Sequence, residues 1–383
     1  MRFACIAVLA YLLCFPSLPG AADEATEPGR AAVIDALLES AISRNLISGG
    51  VVVIGNSSGI LHSSSRGSLN TVASSPFLDE HTIFDVASLT KVVATTPAVM
   101  LLLDSGQITL SDPITRWFPE FKGSGKDDLT LLHLLTHTSG LVDFTVSGQD
   151  AMKSTIRRAA AQKVRYQPGS RFKYADINFM LLGELVRRIS GFPLDQYCRD
   201  RIYTPLDARA TMFVPPAHVA GTIAPTTGPP PGTVQDHNAR RLGGVAGHAG
   251  LFSSAYDLAN YARMILGGGM LDSRRILSRE AVNQMLSPYV SGNGVIRCLG
   301  WDMNSPYSAP RGELFSEESF GHTGYSGSSI WIDPAQDLFV IMLTNRLDYR
   351  NITMFNQLRR DVSTYAAACF NVPGNYPALP PVF

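Results

Sequence analysis

Ser88-Leu89-Thr90-Lys91 sets a serine and a lysine three residues apart, one turn apart on the same face of a helix. A serine hydroxyl is a weak nucleophile until a neighbouring base takes its proton, and a lysine desolvated enough to be neutral is such a base. Phe84 to Ala87 reads as an approach segment, and the apolar run Val92 to Leu103 as a helix that ends near Gly106. Ser88 is therefore expected at a helix N-terminus, where unpaired backbone amides and the positive dipole end favour an oxyanion. Farther on, Tyr174-Ala175-Asp176 offers a phenol and a carboxylate two residues apart on a short loop. Such a phenol serves as general base or acid if a nearby cation lowers its pKa. A third polar group, His322-Thr323-Gly324, stands at a strand start.

Two other patterns suggest chemistry and are set aside. Gly55-Asn56-Ser57-Ser58-Gly59 matches G-x-S-x-G, but that elbow needs a helix after its serine, and here Ile60-Leu61-His62-Ser63 reads as a strand. His133 and His137 stand four apart, yet no carboxylate or third histidine is suitably spaced and there is no H-E-x-x-H, so no metal is expected.

Positioning those groups requires ordered elements on either side of them. Gly29 to Leu46 carries apolar residues at near-helical spacing and closes at Gly49-Gly50. Val51 to Ile54 and Ile60-Leu61 flank a turn and read as a hairpin. Leu129 to Leu135 reads as a short helix, and a longer one carrying Met180, Leu181, Leu182, Leu185 and Val186 follows Asp176. Pro215 to Gly232, rich in Pro and Gly, reads as an irregular loop. Asp236-His237-Asn238 and the glycine-rich Gly243 to Phe252 lead to Ser254 and Asp257, an N-cap and a first-turn acid for a helix through Leu266. Ser328 to Ile332 and Leu338 to Leu343 around Asp333-Pro334 form a second hairpin, and Met354 to Ala368 an amphipathic helix.

The first residues read as an address. Arg2, the apolar run Phe3 to Phe15 and the small residues Gly20-Ala21-Ala22 fit a secretory signal peptide over 1–22, cleaved near Ala21 or Ala22, which implies a secreted or periplasmic protein. Its removal takes Cys5 and Cys14 and leaves Cys198, Cys298 and Cys369, too few and too scattered for a disulfide scaffold. Charge balances at 32 basic against 32 acidic residues with no long run of either sign, so neither a nucleic-acid partner nor stable membrane insertion is expected.

In order along the chain, Ser88-x-x-Lys91, Tyr174-Ala175-Asp176 and His322-Thr323-Gly324 resemble the motifs of the penicillin-recognising serine hydrolases, the superfamily of class C β-lactamases, D,D-peptidases and related esterases. Leu134 to Leu141, Gln167-Pro168-Gly169, Leu181-Leu182-Gly183 and Leu343 to Arg346 look like further segments of it. The resemblance implies an α/β (α+β) fold of class C β-lactamase type, an antiparallel sheet flanked by terminal helices with a mainly helical insertion. It places one hydrolase domain over 23–372, its α/β part at about 29–104 and 291–370, its helical part at about 105–290, and a Pro-rich tail at 373–383. It implies Ser88 as nucleophile, Lys91 and Tyr174 sharing its proton, and the amides of Ser88 and Tyr325 as oxyanion donors, with Asp176, His322, Thr323 and Gly324 toward substrate and no cofactor. The expected activity is acyl transfer to water through an acyl-enzyme, on esters or on cell-wall-type D-amino-acid peptide bonds, peptidoglycan fragments included. The alternatives are a class C-type β-lactamase and a catalytically idle protein that binds muropeptides or β-lactams. Two positions depart from the familiar pattern. Asp176 stands for an asparagine and donates only if protonated, and His322 stands for a lysine and is fully charged only below its ordinary pKa near 6.5.

Overall fold

The computed structural model describes residues 27–370, so the expected signal peptide and the Pro-rich tail lie outside the described residues. In chain order the strands are β1 (Ile47–Asn56), β2 (Gly59–Gly67), β3 (Ile83–Asp85), β4 (Met212–Phe213), β5 (Ile223–Ala224), β6 (Leu251–Ser253), β7 (Met270–Leu271), β8 (Arg274–Arg275), β9 (Tyr289–Val290), β10 (Ile296–Arg297), β11 (Asp302–Asn304), β12 (Phe320–Thr323), β13 (Ser329–Asp333) and β14 (Leu338–Arg346). The helices are α1 (Glu27–Ser43), α2 (Thr96–Asp104), α3 (Leu131–Leu135), α4 (Ala151–Ala161), α5 (Asp176–Ser190), α6 (Leu194–Cys198), α7 (His237–Arg241), α8 (Ala255–Leu266), α9 (Arg279–Leu286) and α10 (Ile352–Phe370).

Eight strands make one antiparallel sheet in the order β2-β1-β14-β13-β12-β11-β10-β9, so the two ends of the chain meet at its centre. The pleat sorts their apolar side chains. Val51 and Val53 on β1 and their partners Leu343 and Ile341 on β14 face the helical region, while Val52 and Ile54 with Met342 and Val340 face α1 and α10. Both faces are covered, which is why these strands read as unbroken apolar runs rather than alternating ones. The strand that follows Gly59 runs to Gly67, so the G-x-S-x-G segment is a hairpin turn as expected.

The central region is mainly helical, with one addition. A four-stranded sheet ordered β4-β6-β3-β5 lies within it, and the 215–232 segment expected to be irregular contains a 3₁₀ helix at Ala217–Thr222 followed by β5 itself, which pairs with β3 in parallel. Strands of two or three residues leave no periodicity to read. Helix α8 is capped as anticipated, Ser254 Oγ accepting from the Asp257 amide at 3.2 Å. The stretch Ala87–Asp104 is long and apolar enough to span a bilayer, but 78% of it is buried inside the protein, where it forms the core helix that carries Ser88. Cys198, Cys298 and Cys369 are buried and none forms a disulfide.

Helix α5 and the glycine-rich loop after α7 touch through backbone alone. A Cβ on Gly183 would lie 2.9 Å from Gly247 Cα, and one on Gly247 would lie 2.0 Å from Phe179 O. That closeness places the next residue, His248, beside Lys91. Gly183→Ala is expected to destabilise by about 1–3 kcal/mol through overpacking, read as a lower urea midpoint at unchanged m-value. An unaltered midpoint would show that the two segments separate freely.

Candidate active site

The Ser88 turn is held in a costly shape. Strand β3 ends at Asp85, and Ala87 then adopts φ +48°, a left-handed conformation disfavoured for a residue with a Cβ. Such strain persists only where the surroundings fix it. Here Asp85 Oδ1 accepts the Ala87 amide at 2.8 Å, Thr90 Oγ1 donates to Ala87 O at 2.6 Å, and Ser326 and Ser328 donate to the Asp85 and Val86 carbonyls at 2.6 and 2.8 Å. Asp85 is tethered on its other side by the Gln235 amide at 2.7 Å, and burial pushes its carboxyl up to about 6. Ser88 lies in a 3₁₀ turn, Ala87–Leu89, followed by a π-helical segment, Lys91–Thr95, before regular α2 begins. The sequence predicts one continuous α-helix there, and the wider π turn is the difference.

Lys91 is fully buried, and its Nζ has three oxygen neighbours for its three N–H groups. They are Ser88 Oγ at 3.0 Å, His248 O at 3.0 Å and Asp176 Oδ1 at 2.7 Å. Burial is the largest single effect and opposes its charge, but Asp176 and Tyr174 outweigh it and lift the lysine above its ordinary pKa. Asp176 is pulled the other way: burial disfavours its anion, yet Lys91 and His248 hold it below the usual carboxylate range. The neutral lysine expected from desolvation is therefore replaced by a buried ammonium–carboxylate pair. Tyr174 faces both Ser88 and Lys91, with the ammonium 5.1 Å from its ring centre. Its phenol is pushed up by burial, which Lys91 offsets only in part, so the expected lowering does not occur.

The other wall is the end of β12 and the turn after it. Gly324 packs so tightly that a Cβ would sit 2.0 Å from Ser328 Oγ and 2.5 Å from Val86 O, and this brings the Tyr325 amide alongside the Ser88 turn. Neither the Ser88 nor the Tyr325 amide has an acceptor among the described residues. Arg359 on α10 clamps the turn, Nη2 donating to Gly324 O at 2.7 Å and Ser328 O at 2.8 Å. A cleft of about 400 Å³ opens here, lined by Ser88, Tyr174, His322, Thr323, Gly324 and Tyr325 together with Arg297, Tyr307, Arg346 and Arg359. Ser88, Tyr174, His322, Thr323, Gly324 and Tyr325 thus converge on one cavity, while the Lys91–Asp176 pair adjoins Ser88 without lining it.

His322 Nδ1 lies 2.9 Å from Thr323 O, and since a carbonyl only accepts, Nδ1 carries the proton and Nε2 is the acceptor. Burial, then Arg297 and Lys91, hold its pKa well below the ordinary value, so His322 is neutral. His137 and His133 do not converge. His137 adopts φ +56° past the end of α3 and stacks on Tyr174 at 4.4 Å, accepting the Ala175 amide at Nδ1, whereas His133 caps α3 through the Thr130 amide. Asp176, Asp236 and His248 present ligand-type atoms within 4.8 Å of one another, but Lys91 already pairs with Asp176 and His248 Nε2 already bonds Asp236 at 2.9 Å.

Residues 33–359 match the family described as Beta-lactamase. The chain belongs to the beta-lactamase family. It is 31% identical over 317 residues to the "Putative D-alanyl-D-alanine carboxypeptidase" of Salmonella agona (strain SL483), with 72% of each chain covered. Among solved structures it is similar to a novel penicillin-binding protein homologue from Caulobacter crescentus, with TM-score 0.74, 21% identity and 90% of this chain and 98% of that one covered. It is also similar to EstCE1, a hydrolase with promiscuous acyltransferase activity, with TM-score 0.71, 20% identity and 88% and 99% covered. These structural likenesses carry the fold, the sandwich with helical insertion that the motifs implied. This protein is a beta-lactamase-family serine hydrolase.

Several groups of this family member escaped the sequence reading. His137 was weighed only as half of a metal pair, and nothing in its spacing reveals that it lies under Tyr174. Asp236 and His248, twelve residues apart, meet only because the glycine loop folds back. Arg297 pairs with Asp302 at 2.9 Å in the cleft wall, an i,i+5 relation across a hairpin that only the β10–β11 register reveals. The buried neutral His322 has a consequence for stability. Unfolded histidine binds a proton below about pH 6.5 and the native one refuses it, so native stability falls as pH drops through that value. Wild type should therefore lose up to about 1.4 kcal/mol per pH unit more than His322→Gln between pH 6.5 and 5. Urea unfolding at several pH values measures this, and parallel slopes would mean that His322 charges in the native state.

Proposed function

We propose that this protein is an exported acyl hydrolase working through an acyl-enzyme on Ser88, with esters as its preferred substrates. The observation that carries it is the contact of Ser88 Oγ with Lys91 Nζ at 3.0 Å at the foot of an open cleft, with Tyr174 beside both and two unpaired amides at the mouth. In this reading Ser88 attacks the substrate carbonyl, the amides of Ser88 and Tyr325 receive the oxyanion, and the Ser88 proton leaves by way of Lys91. Ester preference follows from the two departures. Asp176 is spent on Lys91 and His322 is neutral, so an amide carbonyl loses a neutral hydrogen bond worth about 0.5–1.5 kcal/mol and a carboxylate a charge-assisted one worth about 1.5–3 kcal/mol. Simple esters need neither.

A specific observation favours a second reading. Arg346 and Arg359 lie buried in the cleft wall, and among the described residues neither has a carboxylate within ion-pair distance. Burial and Arg346 hold Arg359 down to about 9. An unpaired buried cation attracts an anion, so a peptide ending in a free carboxylate, as the name of the Salmonella agona relative suggests, is the second candidate.

Ser88→Ala is expected to abolish covalent labelling by a fluorophosphonate and all turnover while leaving the fold intact. A variant that keeps more than a few per cent of the rate refutes the nucleophile. Comparing kcat/KM for a p-nitrophenyl ester, a D-alanyl-D-alanine peptide and a cephalosporin ranks the substrates. The ester should lead and the cephalosporin should be turned over poorly, and an efficient cephalosporinase would sink the ester preference. Export predicts that protein recovered from the cell envelope begins near Asp23 by intact mass, and a chain still starting at Met1 would exclude it.

A further inference from the structure

Acylation requires something to remove the Ser88 proton, and neither obvious base is free to do so. Lys91 is an ammonium that donates to Ser88 Oγ and His248 O and is ion-paired with Asp176 Oδ1 at 2.7 Å. Tyr174 is a protonated phenol, and the cation that would favour its phenoxide is already neutralised by Asp176. What the site does contain is a row of polar atoms leading away from the nucleophile: Ser88 Oγ, then Lys91 Nζ at 3.0 Å, then Asp176 Oδ1 at 2.7 Å.

We propose that Asp176 is the terminal proton acceptor for acylation, acting through Lys91, and not a donor to substrate. This rests on the reading of Ser88 as nucleophile. As the Ser88 O–H bond breaks, its electron pair forms the Oγ–carbon bond and the carbonyl π pair moves to oxygen at the Ser88 and Tyr325 amides. One Lys91 proton first goes to Asp176 Oδ1, and the neutral amine left behind turns its lone pair toward Oγ and takes the Ser88 proton, so the lysine's proton count is unchanged and Asp176 becomes a carboxylic acid. When the tetrahedral species collapses, the proton returns through Lys91 to the departing oxygen or nitrogen. Asp176 is then a carboxylate again, ready to serve the attack of water on the acyl-enzyme. No further reactant is required.

Charge explains why the pair must act together. Removing a proton from Lys91 alone would leave Asp176 a buried anion without its counterion, whereas handing the proton to Asp176 separates no new charge. The groups facing the pair leave Asp176 that role. Asp236 is bonded to His248 Nε2 and the Ala239 amide, and Asp143 to the Ile177 amide, while His137, His322 and Tyr307 are neutral. An acidic residue in the first turn of α5 would suit the helix dipole on its own. The capping acceptor for Ile177 is Asp143, however, and the polar neighbour of Asp176 Oδ1 is Lys91.

The test is the pH dependence of the acylation burst with p-nitrophenyl acetate from pH 4 to 11, in wild type and in Asp176→Asn. Wild type should hold its neutral plateau down to pH 4, because, despite burial, Lys91 and His248 keep the Asp176 carboxyl below the usual carboxylate range. The asparagine variant should acylate about 100-fold more slowly at pH 7, the scale of lost general-base assistance, and its rate should climb with pH until Lys91 itself loses a proton. That alkaline limb takes the place of the neutral plateau, with KM little changed. A variant that keeps the neutral plateau while the rate merely scales, or whose neutral rate equals or exceeds wild type, overturns the proposal. If Asp176→Asn does not fold, Asp176→Glu decides, since it keeps a carboxylate and must keep the neutral plateau, and a shift to an alkaline limb overturns the idea. Wild type that fails to acylate Ser88 at all overturns the nucleophile and this inference together, while labelled Ser88 with an unmoved profile overturns this inference alone.

Discussion

The buried contact between the Lys91 ammonium and the Asp176 carboxylate is the interaction on which the site depends. An ammonium taken out of water costs several kcal/mol unless its charge and all its donors are satisfied. Three elements are brought together to meet that demand: the Ser88 turn, the start of α5 and the glycine loop that supplies the His248 carbonyl. The glycines at 183 and 247 are the condition for it, because only bare backbones approach closely enough to bring that carbonyl to Lys91. Thr95 Oγ1, donating to Gly247 O at 2.7 Å, fixes the loop from the same helical run that carries the lysine.

The second constraint is the strained Ala87. A residue with a Cβ at φ +48° is held by hydrogen bonds from both sides, from Asp85 within the turn and from Ser326 and Ser328 across the cleft. Since those serines belong to the β12–β13 turn, the strain of the Ser88 turn and the position of the Tyr325 amide are not independent. Whatever moves one moves the other. This is an economical way to keep two catalytic walls in register when they come from residues far apart in sequence.

How much of this was legible varied with range. Helices α1, α5, α8 and α10 and the hairpins at both ends were readable because their apolar spacing or turn residues are local signals, and the meeting of the chain ends in one sheet followed from the resemblance. Ser88, Lys91, Tyr174 and His322 were readable as motifs in order, although His322 and Thr323 close β12 rather than start a strand. What the sequence could not supply was charge. Desolvation alone argued for a neutral Lys91, and only the placement of Asp176 against it decides for an ammonium. Likewise a lowered phenol pKa was reasonable for a tyrosine near a cation, until that cation proved already paired. The 3₁₀ and π windings around Ser88 also left no trace, since Val92, Val93 and Ala94 satisfy an α-helical pattern equally well.

Arg359 links the C-terminal helix to the chemistry in a way that depends on the peptide bond. Its guanidinium bonds Gly324 O, and that carbonyl belongs to the same peptide plane as the Tyr325 N–H. Drawing electron density toward the oxygen makes the N–H of that plane a stronger donor, the cooperative effect seen in chains of hydrogen bonds. The other amide at the mouth, that of Ser88, belongs to the peptide whose carbonyl is Ala87 O, and Thr90 Oγ1 donates to that oxygen at 2.6 Å. Both unpaired amides therefore sit on peptide planes whose carbonyls are already engaged, one by a buried cation and the other by a buried hydroxyl. Donors polarised in advance and fixed in place need no reorganisation when negative charge appears in front of them, and that is the condition under which such contacts contribute most.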